Sequence, residues 1–326
     1  MESFAFENRI DIARINECVT PIKKEISSVV VGQEETIEML LAAILSNGHI
    51  LLEGVPGVAK TLTAKLIAKT IDVDFSRIQF TPDLMPSDVM GTNVFNPKNT
   101  EFEFRKGPIF SNIVLIDEIN RAPAKTQSAL FEVMEERTIT VDGKAYTMDE
   151  PFMIIATQNP VEHEGTYQLP EAQLDRFTFK LFLDYPTEMQ EVEILRRHQH
   201  QHNLHQMINS VQKVIDATTL NELRGLVTQV NVEDKLLTYI AAIIQQTRTH
   251  GGLSLGASPR GSIAILGTSK ALAALRSRDF VSPEDIIQVA LPALRHRLSL
   301  SAEKEMEGVT TDDIIQEIVK GIEVPR

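Results

Sequence analysis

The stretch His49-Ile50-Leu51-Leu52-Glu53-Gly54-Val55-Pro56-Gly57-Val58-Ala59-Lys60-Thr61-Leu62 decides the fold. Three apolar residues, Ile50 to Leu52, lead into a loop carrying Gly54 and Gly57, and a helical pattern follows. Strand, glycine loop and helix N-terminus in that order form the context of a phosphate-binding P-loop. The residue types suit the chemistry. Gly54 and Gly57 let the backbone curl until successive N–H groups point inward at phosphate oxygens. The helix N-terminus adds partial positive charge. Lys60 is placed to reach the β- and γ-phosphates, and the Thr61 hydroxyl to ligate Mg²⁺. Val55, Pro56, Val58, Ala59 and Leu62 complete the expected cradle. Ala59 stands where a last glycine is usual, and a methyl group there is expected to be tolerable in a helical first turn.

Working outward, Ile113-Val114-Leu115-Ile116 reads as a strand buried on both faces of a parallel sheet. It ends in Asp117-Glu118, a Walker B pattern. The first acid can hold the Mg²⁺ shell and the second can polarise an attacking water. A further buried-type strand, Phe152 to Thr157, ends at Gln158-Asn159-Pro160. A polar side chain there lies on the C-terminal edge of the sheet, where open α/β folds bind ligands. Asn159 is therefore a candidate to orient water or contact the γ-phosphate.

Around these strands the chain is mostly punctuated by helices. Residues 8–29 read as helical, with Thr20-Pro21 either kinking that helix or opening a second one. Gln33 to Leu45 is another amphipathic helix. Residues 81–107 are too long for a plain connection and read as a functional insertion, in which Val94-Phe95 and Phe102-Glu103-Phe104 suggest a small hairpin. Residues 137–150 alternate around Asp142-Gly143, a hairpin signal. From Thr187 onward no strand is expected. Helical patterns occupy 187–201, 205–216, 219–229, 232–248, 259–277 and 283–297, so the domain break falls near 186. Ser258-Pro259 opens a helix with Arg260 in its first turn, at the wrong end of the dipole for a cation, which suggests that Arg260 serves an anion. His198, His200, His202 and His205 lack a completing carboxylate or cysteine and read as a polar helix end rather than a metal site. The basic residues Lys270, Arg276, Arg278, Arg295 and Arg297 read as a solvated or subunit-contacting face.

Composition narrows the classes. With 326 residues, two domains are the natural expectation. A net charge of −13 argues against broad electrostatic binding to nucleic acid. No apolar run reaches bilayer length, and MESFAFENRID does not read as a signal peptide. The single cysteine, Cys18, suits a reducing compartment and reads as a packed thiol, so a cytoplasmic location is expected.

Taken together, the segments resemble the AAA+ ATPases, and within them the MoxR family. The stretches that carry the resemblance are VVGQEE at 30–35, GVPGVAKT at 54–61, LIDEINRAPAKTQSALFEVMEE at 115–136, ATQNPVEHEGTYQLPEAQLDRF at 156–177 and GASPR at 256–260. The resemblance implies an α/β P-loop NTPase core over 1–186, its parallel sheet flanked by helices, and a smaller all-α lid over 187–326. In that frame 81–107 is the helix-2 insertion and 137–150 the hairpin before sensor 1. It further implies that Val30, Val31 and Gly32 lie along the adenine ring. Asn159 is implied as sensor 1, Arg176 as an arginine finger for the neighbouring subunit, and Arg260 as sensor 2 reading the γ-phosphate from the lid. An alanine at 59 looks ordinary for such proteins. ATP and Mg²⁺ are the implied cofactors. The implied assembly is a homo-oligomer, a hexameric ring, acting on proteins with a von Willebrand A domain. The competing readings are a motor like magnesium-chelatase or helicase subunits, and a nucleotide-gated scaffold that hydrolyses little.

Overall fold

Ile12, Ile15, Val19, Ile22 and Ile26 recur at helical spacing, and all five are buried on one face of helix α1 (Ile12–Ser27). Pro21 lies inside that single helix, so no second helix starts at Thr20. The computed structural model describes residues 11–55, 57–159, 167, 169–200 and 204–325. After α1 come α2 (Glu34–Leu45), β1 (Ile50–Gly54), α3 (Lys60–Thr70) and β2 (Phe75–Gln79). The insertion follows as α4 (Pro86–Met90) and an antiparallel hairpin, β3 (Gly91–Asn96) with β4 (Glu101–Lys106). Next are β5 (Ile113–Asp117), α5 (Ala124–Glu136), and the hairpin of β6 (Thr138–Val141) and β7 (Lys144–Thr147). The core closes with β8 (Met153–Gln158), α6 (Glu171–Leu174) and β9 (Phe179–Leu183).

β1, β2, β5, β8 and β9 form one parallel sheet in the order β2-β5-β8-β1-β9. β1 lies between β8 and β9, so the chain leaves it to one side and returns on the other. That is a topological switch point, and the crevice outside it is where such sheets bind ligands. Because every strand runs the same way, the sheet has two chemically distinct edges. Gly54, Asp117, Gln158 and Leu183 lie at the C-terminal edge, and Ile50, Ile113, Met153 and Phe179 at the other. Side chains alternate between the faces. Ile50, Leu52, Leu115 and Ile155 join the core shared with α1, α2 and the C-terminal helices, whereas Leu51, Val114, Ile116 and Ile154 join the core under α5 and the hairpins.

The C-terminal region consists of α7 (Glu188–His200), α8 (Leu204–Ser210), α9 (Ala217–Thr228), α10 (Asp234–Thr249), β10 (Leu253–Leu255), α11 (Pro259–Leu275), α12 (Pro283–Leu294), β11 (Ser299–Leu300), α13 (Ala302–Met306) and α14 (Thr311–Gly321). It differs from the sequence reading in three places. The helix expected over 205–216 stops at Ser210, because Val214 and Ile215 turn their N–H groups to the carbonyl of Thr70. Two short antiparallel strands, β10 and β11, interrupt the helices; they are too brief to show a period in the sequence. And two helices absent from the expected set follow: α13, capped by Ser301, and α14, built by a capping box at Thr310 and Asp313 followed by buried Ile314, Ile315, Ile318 and Val319. The apolar core runs unbroken from α1 and α2 into α9–α12, past residue 186.

Candidate active site

The loop between β1 and α3 is shaped by close approach and by backbone sign. A side chain at Gly54 would put its Cβ 2.5 Å from the carbonyl oxygen of Leu183, so β9 demands glycine there. Gly57 has φ +90° with open space around it. Ala59 sits at the helix N-cap in the left-handed region, φ 59°. The methyl group is thus not in a helical first turn, as expected, but in a conformation that costs an alanine on the order of 1 kcal/mol. Pro56 lies outside the described residues. Lys60 donates from Nζ to the carbonyl of Gly54 at 2.6 Å, and burial pulls its pKa down against the opposing pull of Asp117, Glu118 and Glu53.

Beside this loop lies a cavity of about 740 Å³. Val30, Val31 and Gly32 line it, together with Gly57, Val58, Ala59 and Leu62. Gln33 ties the wall to the loop, donating to Val58 O at 2.7 Å and accepting from Thr63 Oγ1 at 3.1 Å. The far wall comes from β9 and α7, with Tyr185, Gln190, Ile194 and Arg197. No sequence signal marked these four, since nothing in the α7 pattern separates a pocket wall from a solvated face.

The two acids stand at the C-terminal end of β5, one strand over from β8. Asp117 is buried; its Oδ1 accepts from Thr157 Oγ1 at 3.1 Å and its Oδ2 from Arg77 Nε at 2.5 Å. Glu118 is left-handed, φ 58°, and its N–H donates to Thr157 Oγ1. Its carboxylate is held by Gln79 Nε2 at 2.9 Å and Arg121 Nε at 2.8 Å. Strained backbone at Ala59 and Glu118 falls on the two sides of one site, as strain retained for function does. Asn159, buried, follows β8 on the same edge. Arg77, Gln79 and Thr157 were not picked out from the sequence, because their partners come from other strands; nor was Arg121, whose partner Glu118 lies three residues before it.

Arg176 and Arg260 lie elsewhere. Arg176 donates to the carbonyl of Phe131 and stands 3.9 Å from Glu135; Arg260 reaches the same Glu135 at 2.5 Å. Glu135 is in the last turn of α5, next to Met134, whose carbonyl meets His49 just before β1 begins. Both arginines therefore occupy the N-terminal edge of the sheet, separated from the loop by the length of β1, about 13 Å at strand rise. Arg260, expected to read a γ-phosphate from the lid, is thus placed away from the P-loop of its own chain. The cause is how the C-terminal region is fastened. Arg297 binds Asp175 Oδ1 at 2.8 Å and Phe177 O at 2.6 Å, Ser258 binds Asp175 Oδ2 at 2.8 Å, and His296 meets Phe177 O at 2.9 Å. Those contacts fix α11 and α12 to the residues before β9.

Comparison with known proteins fits this arrangement. The family model described as "ATPase family associated with various cellular activities (AAA)" matches residues 49–179, and an AAA lid domain matches 245–318. Chaperone MoxR1 of Mycobacterium tuberculosis is 40% identical over 311 residues, covering 93% of this chain and 81% of that protein. The chain belongs to the MoxR family of AAA ATPases. YeaC of Bacillus subtilis is 48% identical over 302 residues, 93% of each chain. A crystal structure from Cytophaga hutchinsonii, assigned to a candidate ATPase, superposes with TM-score 0.89 at 43% identity over 97% of each chain.

Within this MoxR-family chain the basic residues of the lid are not a solvated face. Arg278 pairs with buried Asp285 at 2.5 Å, Arg276 with Glu38 at 2.8 Å, and Arg295 with Asp312 at 2.9 Å while lying over the Phe182 ring. They are internal fastenings of lid to lid and lid to core. Cys18 packs half-buried against the core, and burial raises its thiol pKa. Among the described residues no cluster of three or more histidine, cysteine or acidic side chains could hold a metal; His202 lies outside them. No helix among them is long and apolar enough to cross a membrane.

Proposed function

We propose that this MoxR-family chain is a Mg²⁺-dependent ATP hydrolase whose sites are completed between copies in a ring, and whose turnover remodels partner proteins. The observation that carries the reading is the separation of the machinery. The loop, Asp117, Glu118 and Asn159 lie on one edge of the sheet, and Arg176 with Arg260 on the other. A single chain cannot bring the two sets together across the length of β1. Head-to-tail contact between copies can, and a repeated head-to-tail contact that closes is a ring.

In this reading Val30, Val31 and Gly32 lie along the base, while Lys60 and the backbone N–H groups of residues 57–62 hold the phosphates. Thr61 and Asp117 supply one hydroxyl and one buried carboxylate, the hard oxygen ligands Mg²⁺ takes alongside substrate phosphates. The ion adds charge neutralisation at the β- and γ-phosphates. Glu118, released from Gln79 and Arg121, polarises the water that Asn159 helps position. Arg176 and Arg260 of the next copy meet the charge developing on the γ-phosphate. Six-fold stoichiometry and von Willebrand A partners rest on the family resemblance, and a cytoplasmic location on the single cysteine and the composition; the name of the mycobacterial relative supports chaperone-like work. The acidic net charge disfavours a nucleic-acid motor.

The deciding experiment is ATPase rate per subunit against protein concentration, with Glu118→Gln as the blank. A steep rise supports sites shared between copies. A rate equal to the blank at every concentration, with nucleotide still bound, would put the scaffold reading first.

A further inference from the structure

A second cavity, about 430 Å³, opens between the end of α2, α9 and α11, on the edge of the sheet away from the P-loop. Its walls are apolar: Leu45 and Val227 behind, Leu266 and the exposed Ile263 at the mouth. Yet Arg224 lines it, more than nine-tenths buried. Its Nε donates to Ile44 O at 2.9 Å and one Nη to Asn221 at 3.3 Å. Two of five guanidinium N–H groups are thereby used. Among the described residues no carboxylate forms an ion pair with it.

The surroundings do not neutralise that charge. Lys270 lies on the cavity wall with its Nζ on the carbonyl of Thr228 at 2.8 Å. Behind stands Arg137, whose Nη2 donates to Asn47 O at 3.0 Å, while its Nη1 is buried without a hydrogen bond. One acid, Glu150, lines the cavity, and it is turned to Arg137 at 4.0 Å. Three cations thus face one carboxylate in a chain whose net charge is −13. Burial and the nearby Arg137 bring the Arg224 pKa down to about 10, against the weaker opposing pull of Glu150. The carbonyl end of α2 offers only partial negative charge. A buried cation left uncompensated is costly, and its remedy is a charge partner.

We infer that this cavity is a binding site for a carboxylate flanked by an apolar group, with Arg224 as its anchor and Lys270 at its rim. A planar carboxylate matches the free N–H groups of a guanidinium, and the walls reward a short aliphatic neighbour. The carboxylate can come from a small free acid or from an acidic side chain on a second copy of the chain. Such a site stands apart from the P-loop and does not need ATP hydrolysis.

The test uses the full chain and two probes of one shape, hexanoate and the uncharged hexanamide, titrated by saturation-transfer NMR. Hexanoate should bind saturably in the millimolar range and at least tenfold tighter than hexanamide. Arg224→Met should abolish the difference. Ile263→Glu, at an exposed position that cannot threaten folding, should weaken hexanoate at least fivefold by placing a fixed carboxylate at the mouth. Equal binding of the two probes, or hexanoate affinity untouched by both variants, overturns the site. The sources are separated by sedimentation with ATP. Dissociation of the assembly by saturating hexanoate assigns the natural carboxylate to a second copy, and an unchanged assembly assigns it to a free acid.

Discussion

Arg77 is the residue whose removal should reveal most about the catalytic edge. Its Nε sits 2.5 Å from Asp117 Oδ2, the carboxylate proposed to hold Mg²⁺. The pair is unequal: the Arg77 side chain is 52% exposed and Asp117 only 10%. An arginine that far into solvent cannot contribute the full energy of a buried ion pair, and about 1 kcal/mol is a suitable discount. Metal binding must displace that contact, so Arg77→Ala should tighten apparent Mg²⁺ binding by roughly fivefold, the equivalent of that energy. The assay is the Mg²⁺ dependence of fluorescent ATP-analogue binding, measured in a Glu118→Gln background so that hydrolysis does not interfere. Arg77→Lys should fall between, because a lysine keeps the charge and loses the fork. Half-saturation at an unchanged or higher Mg²⁺ concentration in Arg77→Ala would refute the reasoning and make Arg77 a support for the site rather than a competitor in it.

The remaining expectations are more direct. Arg176→Ala should lose about 10³ in turnover while keeping nucleotide affinity, and mixing it with Glu118→Gln should recover roughly a quarter of wild-type activity, because some mixed contacts then pair an intact acid with an intact arginine; recovery of nothing would place Arg176 in its own chain's site. Arg297→Met should cost about 3 kcal/mol or more in urea unfolding, since it leaves the Asp175 carboxylate and four carbonyls behind without their buried cation; an unchanged midpoint would deny the fastening. His49 accepts from Ile154 N at Nδ1 and meets Met134 O with Nε2, and its burial holds the pKa at about 4 rather than 6.5. Between those values the unfolded chain takes a proton that the folded chain refuses, so stability falls as pH drops. Wild type should therefore lose about 3 kcal/mol more than His49→Gln between pH 7 and pH 4, and parallel pH profiles would rule the histidine out.

The sheet was legible because its strands advertise themselves locally. Four apolar residues before Asp117-Glu118 and a glycine loop before Lys60-Thr61 need no partner to be recognised. The adenine side at 30–32 and the role of Arg176 came from family resemblance, and spacing alone would not have given them. What stayed hidden is what depends on registry between distant elements. Gln79 and Arg77 look like ordinary strand residues until the pairing of β2 with β5 sets them against Glu118 and Asp117. The lid arginines look like a surface cluster until α12 folds onto the residues before β9. Arg260 shows both sides of this. Its helix-cap position correctly suggested an anion partner, but the anion it holds is Glu135, on an edge that no local pattern could specify. Ala59 shows a local error of another kind, because a loop residue's φ sign is set by the turn it closes rather than by the helix it precedes.

The pairing pattern also bears on how the two edges communicate. Each proposed catalytic group is balanced inside the chain: Lys60 by Gly54 O, Asp117 by Arg77, Glu118 by Gln79 and Arg121, and Arg260 with Arg176 by Glu135. None of these is a deeply buried ion pair, so each can be exchanged for about 1 kcal/mol. Under the proposed function, exchange at the first edge would require nucleotide, and exchange at the second a neighbour's phosphate to replace Glu135. The shared Glu135 sets the two arginines against each other, since an anion that draws off Arg260 leaves Arg176 with a stronger claim on the same carboxylate, so they leave one after the other. Arg260 is carried by the lid and Arg176 by the core, while Asp175, adjacent to Arg176, is bolted to both Ser258 and Arg297 of the lid. A displacement of either arginine therefore bears on a joint between lid and core. In the proposed ring, the phosphate state of one copy would be felt first at the Asp175 joint of the next, rather than in its own lid.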